Sequence, residues 1–312
     1  MMNRRLKAPI AAALVAIAAV SAPNGAQAQD AAKGAALLAE ARKALGGEER
    51  LRAVKSLDAR GDFKRAAGQT TAEGRLQIRL ELPDKLRRDE DLSLPGGGPA
   101  VIRTEVLNGS SVWDENSGGA FVGRFGRGDA GARGGDGGRA AGRGRDGGGG
   151  RAPLDPAQIE EAQRRARQTD LARLLLAWLV VTDGQVSWVA TAEAPDGKAD
   201  VLEITTSTGP VTRLFLDQTS HVPLMMTWEG AQQLFGPGRR GRGEGRGGDA
   251  ATAPQGPPPR ATFQMTLGEY KTVNGLRLPH RITRGVNDMT IEEWTVKDYR
   301  INPSFRADVF NK

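Results

Sequence analysis

The sequence predicts an α+β protein: one curved antiparallel sheet of about eleven strands, with helices apolar enough to lie over one of its faces. Three observations predict it. Apolar and polar residues alternate strictly in several segments, most clearly where Leu76, Ile78, Leu80 and Leu82 interleave with Arg75, Gln77, Arg79 and Glu81. That period of two gives a strand one wet face and one apolar face. Tight-turn signals such as Asn108-Gly109, Pro195-Asp196-Gly197 and Asn274-Gly275 separate these segments. Two other stretches switch to helical spacing and are apolar enough to need cover.

From the N-terminus, Arg4, Arg5 and Lys7 precede the apolar run Ala8 to Val20, and Ala26-Gln27-Ala28 presents small residues where a signal peptidase reads. Residues 1–28 are thus read as a cleavable export signal, compatible with either general or twin-arginine export, and not as a membrane span. Asp30 is placed to cap a first helix, in which Leu37, Leu38, Ala41 and Leu45 recur at helical spacing before Gly46-Gly47 stops it. Glu48 to Lys55 reads as a second short helix with Leu51 and Val54 turned inward. Strands follow at Leu57 to Lys64, Glu73 to Leu82, Lys85 to Leu94, Val101 to Leu107 and Ser110 to Glu115.

Asp155-Pro156 with Gln158 then forms a capping-box-like start to a long helix reaching Val181, whose second half is almost wholly apolar. Further strands are expected at 185–192, 199–206, 211–217, 223–229, 262–271, 276–284 and 289–302. In the strand 223–229, Leu224, Met226 and Trp228 should share one face.

Two segments depart from this pattern. Residues 123–152 hold 14 Gly, seven Arg and three Asp, and residues 236–250 hold seven Gly, four Arg and two acids before the Pro-rich end of a 236–260 insertion. Neither composition can bury a core, so both are read as disordered insertions in a single domain spanning 29–312. They also carry the charge. Of a formal net +7, the signal holds +3 and the two glycine stretches +4 and +2, which leaves the rest of the chain at −2.

The inventory excludes most chemistry. There is no Cys, hence no disulfide framework, thiolate metal site or thiol nucleophile. The two GxGxxG matches at Gly126 and Gly142 neither follow a strand nor open a helix. The Arg/Gly tracts lack the interleaved aromatics that stack bases, so nucleic acid is not expected as a partner; an anionic envelope surface suits them better. His221 and His280 fall in separate strands, and the run Asp89-Glu90-Asp91 reads as a solvated charge cluster. No catalytic residue, metal site or cofactor is expected, and the protein is read as a non-enzyme.

What remains is an excess of large apolar side chains on one sheet face and on the long helix. The candidate binding residues are Leu76, Ile78 and Leu80 on the sheet, Leu175, Trp178 and Leu179 on the helix, and Met226, Trp228, Phe263 and Met265 on later strands. Such polarizable, adaptable surfaces suit ligands of variable shape, and they equally suit a packed core.

The order of elements, the Ala44-Leu45-Gly46-Gly47 helix end, the segment Val54 to Leu57, and the closing block Tyr270 to His280, Ile291 to Tyr299 and Asn302-Pro303 to Phe310 together resemble the LolA/LolB-like superfamily of outer-membrane lipoprotein-sorting proteins. The resemblance implies an unclosed antiparallel β-barrel whose concave apolar side, covered by helices, receives lipid or lipoprotein acyl chains in the periplasm. Without a lipobox Cys, the chain is similar to the soluble carrier type, acting as a monomer. RseB-like envelope sensors share the same fold, so a sensor or scaffold role is the alternative. The helices at 30–45 and 155–181 would then be lids over the cavity.

Overall fold

The computed structural model describes residues 24–67, 70–93, 101–117, 155–180, 184–194, 197–206, 211–231 and 260–312. The chain runs α1 (Asn24–Ala44), α2 (Glu48–Arg52), β1 (Ser56–Ala67), β2 (Thr70–Glu81), β3 (Lys85–Ser93), β4 (Val101–Asn108) and β5 (Ser111–Ser117). It continues through α3 (Pro156–Ala177), β6 (Gln185–Ala194), β7 (Gly197–Thr205), β8 (Thr212–Asp217) and β9 (Pro223–Ala231). It closes with β10 (Arg260–Val273), β11 (Leu276–Val286), β12 (Met289–Ile301) and a 3₁₀ turn at Ala307–Val309.

All strands join one sheet in the order β5-β4-β3-β2-β1-β12-β11-β10-β9-β8-β7-β6. It is antiparallel throughout and has twelve strands, one for each of the twelve segments read in the sequence, against the rounded expectation of about eleven. Two meanders run outward from a central seam where the first strand pairs the last, Leu57 opposite Ile301 and Phe63 opposite Trp294. Among the described residues β5 and β6 remain at opposite edges, so the barrel is unclosed. Residues 1–23 of the expected export signal, the insertion 123–152, residues 236–259 of the second insertion and Val181 lie outside the described residues, while Arg260, expected in that insertion, opens β10.

Helix α1 begins at Asn24, so Asp30 is an interior residue and not its cap. The Ala-Gln-Ala-Gln run before it has ordinary helix propensity and simply extends the turn. Gly34, Leu38, Ala41 and Leu45 form its buried stripe and pack it along edge strand β6. A Cβ at Gly34 would lie 2.8 Å from the Ser187 carbonyl carbon, so only glycine lets the helix come this close. Lys33 closes over the same strand, its Nζ 3.3 Å from the Trp188 ring centroid. Gly46, at φ 122°, ends the helix, and the Leu45 carbonyl accepts from the Arg277 N–H at 2.9 Å, which ties the helix end to the β10–β11 turn.

Helix α3 starts as its sequence requires: the Asp155 carboxylate accepts from the Ala157 N–H at 3.0 Å, and Pro156 occupies the first turn. It stops at Ala177, earlier than Val181. Val180 N–H donates to the Leu175 carbonyl and Leu179 N–H to the Leu176 carbonyl, each at 3.0 Å, a Schellman closure. The left-handed position is filled by Leu179 at φ 51°, not by glycine. That conformation costs a leucine about 1–2 kcal/mol, which burial of its side chain offsets, because Leu179 is fully enclosed.

One apolar cluster unites the interior-facing residues of the sheet with Leu171, Leu174 to Val180 of α3 and its exit, and Leu38, Ala41 and Leu45 of α1. Leu224 is a correction: the β8–β9 register shifts so that Leu216 pairs Pro223 while Phe215 pairs Met225. Leu224 is left 39% exposed beside its buried neighbours Met226 and Trp228.

Candidate functional site

The ten candidate residues are brought together by the fold. Met226 pairs Met265 and Trp228 pairs Phe263 across β9–β10, and the two rings of the latter pair stack with centroids 6.0 Å apart. Leu76, Ile78 and Leu80 line β2, while Leu175, Trp178 and Leu179 come from α3 and its end. Nine of the ten are buried and Phe263 is partly so, all within or against the same cluster. Trp178 meets Tyr299 edge-on at 6.1 Å, and the Tyr299 hydroxyl donates to the Pro279 carbonyl at 2.5 Å. Burial pushes the Tyr299 phenol up, so it stays a neutral donor. These side chains pack on one another, filling the space that an open trough would occupy.

The interior face changes character along its strands. On β3 the inward residues run Leu86, Arg88, Glu90; on β4 they run Leu107, Glu105, Arg103; on β11 and β12 the paired Arg284 and Glu292 face inward. Glu292 accepts from Arg65 at 2.6 Å and Arg88 at 2.7 Å, and Arg284 reaches it at 3.4 Å. Glu90 accepts from Arg65 at 2.5 Å and pairs Arg88 at 2.6 Å. Next to them Arg167 of α3 reaches Glu105 at 2.9 Å and Asp114 at 3.1 Å, and Arg103 also pairs Glu105. Burial acts to raise the Glu292 carboxyl, but Arg88, Arg284 and Arg65 outweigh it and hold it well below the ordinary carboxylate range. Glu90 is lowered in the same way, burial being overcome by Arg88 and Arg65.

Glu90 is therefore not part of a solvated charge run: it is 2% exposed, while Asp89 and Asp91 on either side point to the other face. Arg173 differs from the other arginines. Its guanidinium lies 4.1 Å over the Trp228 ring, and its nearest carboxylate among the described residues is Asp170 at 3.6 Å. Burial, against the pull of Asp170 and helped by Arg284, lowers its pKa to about 10. Between these groups lies a cavity of about 20 Å³, whose apolar lining is Ile78, Leu86, Leu174, Met265 and Trp294. Its charged lining is Arg88, Glu105, Arg167, Asp170, Arg173 and Arg284. Such a volume admits about one water molecule.

A second depression, about 470 Å³ and open to solvent, lies at the opposite end between α2, Leu82, Pro83, Leu179 and Val180. Its rim carries Arg42, Glu48, Arg52 and Lys55, and Glu48 already pairs both arginines. His280 sits in β11 with Nδ1 2.7 Å from the Val296 carbonyl. His221 lies in the β8–β9 turn and not in a strand, its N–H donating to the Asp217 carbonyl. Among the described residues no group of three or more His, Asp and Glu is placed to hold a metal ion, and no helix is long and apolar enough to cross a membrane.

The charged residues were missed in the sequence, although a signal exists. On β3, β4, β11 and β12 some charges, Arg88, Glu90, Arg103, Glu105, Arg284 and Glu292, fall in phase with the apolar positions, which assigns these to the interior face while charges such as Asp89, Arg281 and Glu293 stand opposite.

No protein-family model matches the chain, and no curated protein matches it. Among solved structures, the fold is similar to that of a LolA superfamily protein from Nitrosomonas europaea, at 12% identity and a TM-score of 0.44 over 89% of this chain and 97% of that one. It is similar to a domain named as an outer membrane lipoprotein-sorting protein from Vibrio parahaemolyticus, at 11% identity and a TM-score of 0.39 over 90% and 97%. A DUF1329 family protein from Desulfovibrio piger aligns at 7% identity and a TM-score of 0.41 over 89% and 97%. Likeness at this level concerns architecture and says nothing of ligand or activity.

Proposed function

We propose that the protein is a non-catalytic binding protein of the cell envelope, exported by residues 1–28, that takes acyl chains of lipids or lipoproteins in exchange for its own helix α3. The observation that carries this reading is the seating of α3. Its apolar half and exit, Leu171 and Leu174 to Val180, lie in the same cluster as the interior face of the sheet. Its other half meets the sheet through Arg167 and the ion pairs around it. The helix thus occupies the place of a ligand, as a lid over the concave face.

Magnitudes narrow the ligand. Exposing the seven large apolar side chains of this segment costs on the order of 10–20 kcal/mol at about 1.5–3 kcal/mol each. A ligand that takes their place gains about 0.8 kcal/mol per buried CH₂, so one chain of about sixteen carbons returns roughly 13 kcal/mol before ordering costs. A single chain is therefore a poor competitor, and two or more chains on one ligand are expected.

The test exploits the absence of cysteine. Arg164 of α3 contacts the Ser110 carbonyl at 3.4 Å, and α3 is held at its far end by the chain entering β6. Cysteines at Arg164 and Ser110 joined by a reducible bismaleimide therefore fasten both ends. Native mass spectrometry with diacyl phospholipid should show uptake by the free protein, none by the linked form, and recovery on reduction. Uptake by the linked form at the free level contradicts the exchange.

The filled interior favours one second reading: a sensor or scaffold whose fold serves as an interaction surface, the Arg/Gly insertions meeting anionic envelope components. It requires that neither form take lipid, and that deletion of residues 123–152 abolish a salt-sensitive association with anionic vesicles.

A further inference from the structure

We propose that the pocket between α3 and the charged end of the sheet is an oxyanion subsite, in which Arg173 and Arg284 bind a phosphate or carboxylate group. Three independent features converge there. The first is the charge distribution. Arg65, Arg88 and Arg284 share Glu90 and Glu292, while Arg103 and Arg167 share Glu105 and Asp114. One positive charge is in excess in the first group, and it falls on Arg284, which reaches Glu292 at 3.4 Å behind two closer arginines. Among the described residues Arg173 pairs only Asp170, at 3.6 Å.

The second feature is unused donors. The Nε groups of Arg88, Arg167 and Arg173 are all buried with no hydrogen-bond acceptor among the described residues, and all three residues line the same cavity. Buried donors without partners are costly and uncommon, and three around one cavity call for an acceptor supplied from outside. Planar guanidinium groups suit the paired oxygens of phosphate and carboxylate. The third feature is access: Asp170 and Arg284 are partly exposed, so the cavity opens at the side where the two loosely held arginines stand. Glu105 and Asp170 also face it, and each is already engaged by an arginine of the cluster. Met265 and Trp294 line the same cavity; because its enclosed part holds about one water, the oxyanion would place one oxygen inside and the rest of its group at the open mouth, which suits the head of an amphiphile as well as a free anion.

Neither source depends on the exchange of α3, because the oxyanion enters from the open side. Calorimetric titration of the full chain uses three probes: inorganic phosphate, dodecyl phosphate below its micelle concentration, and dodecanol. Phosphate binding that weakens with salt, falls at least tenfold in Arg173→Gln and Arg284→Gln, and is unchanged in Arg281→Gln supports the subsite. Dodecyl phosphate binding more tightly than phosphate and competing with it identifies a lipid headgroup as the natural source, and equal binding identifies a free anion.

Arg173→Met provides a measure that does not require loss of fold. Removing a poorly compensated buried charge should leave the melting temperature unchanged or raised, while the rise that phosphate gives the unsubstituted protein disappears. No binding of either phosphate probe, or equal weakening in Arg173→Gln and Arg281→Gln, overturns the subsite. The bismaleimide-linked protein separates the two proposals: it should still bind phosphate even if lipid uptake fails in every form.

Discussion

The two ends of one sheet face behave as different materials. At the end where β1 begins, Leu57, Leu80, Leu86, Leu107 and Leu278 are buried in one apolar cluster with the second half of α3. At the end where β1 finishes, the same strands turn inward Arg65, Arg88, Glu90, Glu105, Arg284 and Glu292. The apolar end is held by area and shape, which tolerate no unfilled volume. The charged end is held by pairing, which leaves unsatisfied donors and a small cavity wherever the count or geometry falls short. Stability comes mainly from the first, and selectivity for a charged ligand group can come only from the second.

Substitutions can sharpen or break this contrast. The largest effect is expected at Trp178, fully buried against Tyr299: Trp178→Ala should cost about 3–5 kcal/mol in denaturant unfolding, with little dependence on pH or salt. Glu292→Gln should cost about 3 kcal/mol at neutral pH by leaving Arg65, Arg88 and Arg284 around an uncharged group, and this loss should vary with pH. Because the folded-state pKa of Glu292 is depressed, its contribution is complete above its unfolded value of about 4.3 and is lost as pH falls toward the folded one. The unsubstituted protein should therefore lose stability below about pH 5 more steeply than Glu292→Gln does. Equal pH slopes for the Trp178 and Glu292 variants would erase the difference between the ends.

Gly34→Ala tests the contact of α1 with β6. Its new methyl meets the Ser187 backbone at 2.8 Å, so a helix-propensity gain of about 1 kcal/mol should be exceeded by the strain of moving α1 off β6, typically about 1–3 kcal/mol. The smallest effect belongs to Arg281→Gln, whose partner Glu293 at 3.0 Å is at the surface. A change within about 0.5 kcal/mol is expected in the same unfolding assay.

The unequal legibility of the two ends has the same physical origin. Period-two alternation marks Leu76, Ile78 and Leu80 as one buried face because leucine and isoleucine have one environment they prefer. Arg88 and Glu90 prefer water when considered singly, so their burial depends on Arg65, 25 residues before Glu90, and on Glu292, some two hundred residues further on and brought beside Arg65 only across the β1–β12 seam. That pairing of first and last strands is a long-range register, invisible to local pattern. Arg173 was hidden for a different reason: on a long helix it reads as a surface position, and only the seating of α3 over β9 turns it onto Trp228. Helix α1 shows the reverse case, since its buried stripe was legible in Leu38, Ala41 and Leu45, yet the role of Gly34 required the strand it touches.

The central claim is that α3 holds the place of the ligand and yields it. Hydrogen exchange followed by mass spectrometry, with and without a diacyl lipid, tests it most directly. Amides of residues 171–180 should lose protection when lipid is added while those of β1 and β12 keep theirs; unchanged or greater protection of 171–180 in a lipid-bound protein would contradict it.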